Sequence, residues 1–398
     1  MSRIVVVGGS LGGLRATEAL LARGWEGEIV VLSAERHPPY TRPPLSKALL
    51  AGTPDLSAVE LRRRPETDAA SWRFGVSAVR ADLRARHLTL SDGSELPYDG
   101  LVAATGVRPR RLPERVTRNG FTLRTLDDCI ALRPLLSPGT RLAIVGAGFI
   151  GCEIAATAAG FGCAVDVVAL DTAPMKVPLG ELVGTAIQRR HEAHGVRFHL
   201  GRSIRAVESS PSGHALLLDD GSRVECDVFV QAVGSAPCVE WLEGNGLDLT
   251  DGVECDNSLR MGGLPGAVAV GDVARFPNPL FDNVARRVEH WQMAAETAAR
   301  AAATLLADLS GTTDESGPFR PLPWFWSDQF EMKLQSFGSP VLGERVEVLD
   351  GDLAGEAAVG YYRGERLVGA VLLGMPKAAF RLRKQILASL ASDALEPA

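Results

Sequence analysis

One pattern occurs twice in this chain, and it limits the architecture more than any single residue does. The first copy begins with Ile4 to Val7, a short β-branched apolar run. It continues through the glycine-rich turn Gly8-Gly9-Ser10-Leu11-Gly12-Gly13, helical spacing from Leu14 to Ala22 and a second apolar run from Glu28 to Leu32. The second copy runs Arg141 to Val145, Gly146 to Gly151, Cys152 to Phe161 and Ala164 to Leu170. Apolar strands without alternation are buried on both faces, as in a parallel sheet covered by helices. Each copy also supplies the crossover helix that a parallel pair requires. A supersecondary unit repeated in this way outweighs any isolated motif.

Further strands fit the same plan. Leu101 to Ala104 ends in Thr105-Gly106, Val228 to Val233 ends in Gly234 as its counterpart, and Ala267 to Val270 runs into Gly271-Asp272. Residues 309–317 are rich in Gly, Ser, Thr and Asp and read as a linker. Beyond it, polar and apolar residues alternate from Phe325 to Phe337. A helix follows from Lys377 to Leu390, expected to place Phe380, Ile386, Leu387 and Leu390 on one face. The expected fold class is α/β: two Rossmann-like dinucleotide-binding domains and a small C-terminal α+β domain.

A chain of 398 residues calls for two or three domains. With 46% hydrophobic and 23% charged residues it has the composition of a soluble globular protein. A net charge of −6 argues against general nucleic-acid binding, which rewards basic surfaces. No apolar stretch approaches the roughly 20 residues of a membrane span, and the start carries no signal-peptide pattern. A cytoplasmic setting with reduced thiols is the expectation. Cys129, Cys152, Cys163, Cys226, Cys238 and Cys255 show no CxxC or CxxxxC spacing, so neither zinc nor a redox dithiol is indicated.

The second glycine turn matches GxGxxG at Gly146, Gly148 and Gly151. The first glycine makes the turn, the second admits a pyrophosphate to the backbone, and the third lets helix and strand pack closely. In the first turn Gly8 and Gly13 are in place but Ser10 stands at the middle position, so a structural turn remains open there. Glu35 follows the second strand, suited to ribose hydroxyls or else an ordinary surface glutamate. Asp272 puts a carboxylate where a parallel strand meets its loop, to bind a flavin's ribityl chain or to cap a helix. Tyr40-Thr41-Arg42-Pro43-Pro44-Leu45-Ser46-Lys47 sets two cations around two stiffening prolines, for a phosphate and a flavin or as a plain basic loop.

Taken together, these motifs resemble the ferredoxin reductase family of oxygenase-coupled systems. The segments that carry the resemblance are residues 40–47, Ala-Thr-Gly-Val-Arg-Pro-Arg at 104–110, Leu-Arg-Thr-Leu-Asp-Asp at 123–128 and the second turn extended to Glu153. Val-Gly-Asp-Val-Ala at 270–274, Glu-His-Trp-Gln at 289–292 and Pro-Trp-Phe-Trp-Ser-Asp-Gln at 323–329 complete them. They span essentially the whole chain in order. The resemblance implies a fold like glutathione reductase, with an FAD domain at 1–110 and 236–317, an NAD domain at 111–235 and a C-terminal domain from 318.

It also implies roles. Gly12, Ala34 and Glu35 would contact the pyrophosphate, adenosine and ribose of FAD, and the backbone near Ala78 its adenine. Arg42, Lys47 and Arg124 would bind further around the cofactor, with Asp272 at the ribityl chain and Trp291 at the pyrimidine end. Glu153 would pair with Lys47 beside the nicotinamide. Trp324, Phe325 and Trp326 resemble the aromatic wall near the flavin edge, or else pack in a core. The family usually has a glutamate for the NAD ribose; counting from the strand gives Ala169 there, aligning on Ala173-Pro174 gives Asp171, and Asp171 is preferred. No arginine follows at once, which favours NADH.

The implied activity is hydride transfer from NADH to FAD, then single electrons to a small acidic iron–sulfur ferredoxin serving a haem monooxygenase or ring-hydroxylating dioxygenase. Candidate docking residues are Arg108-Pro109-Arg110-Arg111, Arg286-Arg287 and Arg381-Leu382-Arg383-Lys384, each otherwise a solvated face. A rubredoxin as acceptor, or an FAD/NAD redox sensor without rapid turnover, are the alternatives. Peroxidases, oxidases and disulfide reductases of the same fold need a reactive cysteine near the flavin, and no cysteine precedes Cys129.

Overall fold

The computed structural model describes residues 2–117 and 119–391. Chain contacts divide it into two units, one of Met1–Thr41, Glu60–Arg108 and Ala236–Pro323, the other of Arg42–Val59, Pro109–Ser235 and Trp324–Ala398.

The first unit is built on five strands in the order Ala267–Ala269, Gly100–Ala103, Arg3–Val7, Glu28–Ser33 and Ser71–Phe74. Every pairing is parallel. Ile4, Val5, Val6, Val30, Val31 and Val268 are fully buried, as the unbroken apolar runs require. Helix Leu11–Ala22 crosses from strand Arg3–Val7 to strand Glu28–Ser33, and Ala298, Ala301, Ala302 and Leu305 of helix Trp291–Ser310 join the same core.

The second unit repeats the device. Arg197–Leu200, Ala164–Ala169, Arg141–Val145 and Val228–Gln231 form a four-stranded parallel sheet, with helix Phe149–Gly160 as the crossover. The two copies coincide bond for bond. Gly8 N donates to Leu32 O at 2.9 Å and Gly146 N to Val168 O at 2.8 Å. Leu14 N donates to Ser10 O at 2.9 Å and Cys152 N to Gly148 O at 3.0 Å. Both helices therefore begin one turn earlier than the apolar spacing suggested, so that Gly13 and Gly151 lie inside them.

Also in the second unit is an antiparallel sheet in the order Trp324–Gln329, Met332–Gly338, Arg366–Leu373, Ala357–Arg363 and Arg345–Gly351. Its core is continuous with that of the dinucleotide-type half: Met175, Leu179, Val183 and Ile187 cluster with Leu334, Val359, Tyr361 and Val371. The Tyr361 hydroxyl donates to Leu179 O at 2.6 Å, so burial leaves no orphan hydroxyl.

The C-terminal helix, Ala379–Ala391, corrects one expectation. Leu382 and Ile386 are fully buried, whereas Phe380 is 82% and Leu387 43% exposed. The expected stripe took its phase from the largest apolar side chain. The packed stripe runs through Leu382, which sits between Arg381 and Arg383, and reaches Leu390 at its edge. The expected linker also starts later, because helix Trp291–Ser310 runs on to a left-handed Gly311.

Candidate functional site

In the first unit the glycine turn is shaped by its own backbone. Gly8 has φ +116°, and a Cβ there would lie 2.2 Å from Ala104 O; one at Gly13 would lie 1.8 Å from Gly8 O. Both glycines are demanded by the fold alone. Gly12 is less constrained, its nearest neighbour being Val270 Cγ1 at 3.4 Å. Ser10 precedes the helix in extended geometry and its hydroxyl makes no capping bond. The turn thus accepts a serine at its middle position.

The remaining first-unit candidates lie on the loops of the same sheet or close by. Ala34 is exposed, and Glu35 accepts a short hydrogen bond from the Tyr40 hydroxyl. Ala78 opens the strand Ala78–Asp82. Asp272 lies in the 3-10 turn Gly271–Val273, just past strand Ala267–Ala269, so it is not a helix N-cap. That turn is pinned by Gly271 N donating to Thr297 Oγ1 at 2.9 Å. Trp291 opens its helix with 36% of its surface exposed, and its Nε1 donates to Thr41 Oγ1 at 3.2 Å.

In the second unit, Gly146 has φ +107° and its Cβ would lie 2.2 Å from Ala232 O; a Cβ at Gly151 would lie 2.1 Å from Gly146 O. Gly148 differs. Its φ is −77°, and a Cβ there would meet nothing within 4 Å. The fold does not require that glycine, so a methyl group would only narrow open space above a helix N-terminus. This is the cradle a pyrophosphate would fit. Asp171 is exposed two residues beyond strand Ala164–Ala169, and Gly201 N donates to its backbone oxygen at 3.0 Å. Gly234, at φ +98°, accepts from Arg110 N at 2.9 Å.

The same unit holds a buried ionic centre. Lys47 Nζ lies 2.6 Å from Glu153 Oε2, with side-chain exposures of 15% and 4%. The Ser46 hydroxyl also donates to Oε2, while Ser327 donates to Oε1 at 2.6 Å. Thr157 Oγ1 donates to Ser46 O at 2.8 Å, tying the Lys47 loop to helix Phe149–Gly160. Arg42 donates to Arg124 O at 2.7 Å, and Arg124 N to Asp128 of a Thr125–Asp128 capping box.

Strand alternation splits the aromatic cluster. Trp324 and Trp326 share one face with centroids 5.6 Å apart, while Phe325 turns the other way onto Phe149 at 4.8 Å. Only the tryptophans can form a wall; Phe325 is core. The second face also carries Ser327 and Gln329, both buried. Both belong to the same Pro-Trp-Phe-Trp-Ser-Asp-Gln motif as the aromatics. Two polar residues spaced by two on the apolar face of a strand were the available signal.

The six cysteines are all free. Burial pushes Cys129 up to about 11 and Cys226 up to about 12, and raises Cys152 and Cys255 further still. Thiols held that way are poor nucleophiles. Of the basic clusters, Arg286 is paired with Asp282, and Arg287 with Asp251 and Glu289, so that candidate contributes little net charge. Arg108 pairs with Glu240, whereas Arg110 and Arg111 bond backbone carbonyls. Arg381 lies 3.4 Å from Asp350, and Arg383 stands over Phe337. Among the described residues no helix is long and apolar enough to cross a membrane.

Two parallel sheets, each opening on a glycine turn at a helix N-terminus, with a C-terminal antiparallel sheet, define a two-dinucleotide α/β oxidoreductase. The pyridine nucleotide-disulphide oxidoreductase family matches residues 2–298, and the reductase C-terminal family matches 324–396. The chain is 34% identical to the ferredoxin–NAD(+) reductase component of the anthranilate 1,2-dioxygenase system of Burkholderia cepacia, over 98% of this chain and 95% of that one. It is also 34% identical to putidaredoxin reductase CamA of Pseudomonas putida, over 96% and 91%. Among solved structures, that of the covalent putidaredoxin reductase–putidaredoxin complex superposes with a TM-score of 0.89 at 30% identity, covering 98% of this chain and 93% of the other. The chain belongs to the pyridine nucleotide-disulphide oxidoreductase family, in the branch of the ferredoxin–NAD(+) reductases.

Proposed function

We propose that this chain uses NADH to reduce a small iron–sulfur ferredoxin that feeds an oxygenase, through a resident FAD. The observation that carries the reading is the doubled glycine turn, above all Gly148, whose missing side chain the fold itself does not need. The relatives named as dioxygenase and putidaredoxin reductases support the acceptor class. The division is then an FAD domain at 1–110 and 236–317, an NAD domain at 111–235, and a C-terminal domain from 318.

In this reading a bound FAD would supply the chemistry that couples a two-electron hydride donor to a one-electron acceptor. The protein supplies position and charge. The turn at Gly8 to Gly13 offers a helix N-terminus to the FAD pyrophosphate, and Glu35, oriented by Tyr40, takes the ribose hydroxyls. Ala34 lies along the adenosine and the Ala78 backbone along the adenine. Asp272 would hold the ribityl chain and Trp291 the pyrimidine end, with Arg42 and Arg124 further around the cofactor. Gly146, Gly148 and Gly151 would cradle the NADH pyrophosphate, with Gly234 as a further contact and Asp171 at the ribose. Lys47 would keep a cation near flavin N5, with Glu153 as its balancing charge.

An acidic ferredoxin would be steered by arginines with no carboxylate partner among the described residues, such as Arg110 and Arg111, rather than by the neutralised Arg286 and Arg287. The test is purification under native conditions followed by stopped-flow mixing with NADH. Expected are a yellow protein, rapid bleaching and cytochrome c reduction that depends on added ferredoxin and slows with salt. A protein that cannot take up flavin overturns the reading.

A further inference from the structure

Glu153 is gripped from the side of the C-terminal sheet as well as by Lys47. The Ser327 hydroxyl has one proton and gives it to Glu153 Oε1. It must then accept from its next neighbour, and Gln329 Nε2 donates to Ser327 Oγ at 2.9 Å. With the amide nitrogen so placed, Gln329 Oε1 faces His191 Nε2 at 2.9 Å, which requires the imidazole proton on Nε2. Nδ1 is left buried and without a hydrogen-bond partner among the described residues, with Phe198 and Phe330 edge-on to the ring at 5.8 and 5.0 Å. Burial holds His191 below the ordinary imidazole range, in keeping with a neutral ring that donates once.

All three bonds therefore point towards one carboxylate, and each polarises the next. Gln329 Nε2 also lies 4.0 Å from Met175 Sδ, and Met175 N donates to Ala147 O inside the second glycine turn. The string joins the C-terminal sheet, helix Lys176–Ala193 and the nucleotide turn at a single acid.

We propose that Ser327, Gln329 and His191 are positioning residues for Glu153, fixing the rotation of its carboxylate and through it the place of the Lys47 ammonium. The C-terminal sheet is then part of the hydride-transfer apparatus and more than a platform for the acceptor. This rests on reading Lys47 and Glu153 as the charged pair beside the nicotinamide.

The test begins with the wild-type holoenzyme and ferricyanide as acceptor. If the wild type neither holds FAD nor oxidises NADH, the functional reading fails, and the string loses the role assigned to it. With an active wild type, Ser327→Ala should lower kcat about tenfold while KM for NADH moves less than about threefold, and Ser327→Thr should recover most of the loss. Gln329→Leu should follow Ser327→Ala. A purely structural hydroxyl would lower Tm without that split. Thermal unfolding supplies a readout apart from turnover: Ser327→Ala should lower Tm in the wild type but add nothing in a Glu153→Ala background. Unchanged kcat in Ser327→Ala and Gln329→Leu, or equal Tm losses in both backgrounds, overturns the proposal.

Discussion

Lys47 Nζ stands 2.6 Å from Glu153 Oε2, with both side chains largely withdrawn from solvent. Charges so placed gain Coulomb energy at the cost of desolvation, and apolar residues of similar volume often stabilise a fold as well. Stability alone is therefore weak ground for such a pair. Two serine hydroxyls complete the carboxylate's bonding, as a buried charge requires.

Removing one partner strands the other. In Glu153→Ala the Lys47 ammonium keeps the Pro43 carbonyl at 3.1 Å but no anion. Loss of a buried partner costs about 3 kcal/mol. Urea unfolding should show a deficit of that order, and NADH oxidation should fall more than about tenfold. Wild-type values on both counts would remove the pair from the mechanism.

The two glycines of the second turn should separate folding from binding. Gly146→Ala forces a side chain to φ +107° and against Ala232 O, so roughly 2–3 kcal/mol of stability should go. Gly148→Ala meets nothing, and its stability should stay within about 1 kcal/mol of wild type. Its KM for NADH should nonetheless rise. Calorimetry with NAD(+) alongside thermal melts checks both, and equal NAD(+) affinity in Gly148→Ala and wild type would contradict the cradle.

How far the sequence could be read depended on the kind of signal. Ile4 to Val7 and Arg141 to Val145 announced themselves because a strand buried on both faces leaves no polar interruptions. The glycine turns were equally plain, since only glycine satisfies Gly8 and Gly146. The Ser327–Gln329–His191 string was readable only at its strand end, in the two polar residues on an apolar face, and not in its partners. It joins residues more than a hundred positions apart, and no local pattern carries a contact between elements. The neutralisation of Arg287 by Asp251, thirty-six positions away, was hidden for the same reason.

The C-terminal helix tests the phase that its apolar spacing misassigned. Leu382→Ala removes a fully buried side chain and should cost about 2–5 kcal/mol. Phe380→Ala, on a residue 82% exposed, should change stability by less than about 0.5 kcal/mol. Chemical denaturation of the two variants decides between the stripes. A larger loss from Phe380→Ala than from Leu382→Ala would restore the stripe first expected.

His290, just before Trp291, gives a pH test with a definite sign. Burial pushes its pKa down to about 4, against about 6.5 in an unfolded chain. Between those values the unfolded chain holds a proton that the folded one lacks, so stability rises with pH across the window. The contribution is complete above about pH 6.5 and is lost as pH falls to about 4, a swing of roughly 3 kcal/mol. His290→Gln removes the titration, while other groups act on both proteins alike. The stability difference between wild type and variant should therefore shift by that amount from pH 7 to pH 4, measured by urea unfolding. Parallel stability curves would show that His290 titrates normally in the folded chain.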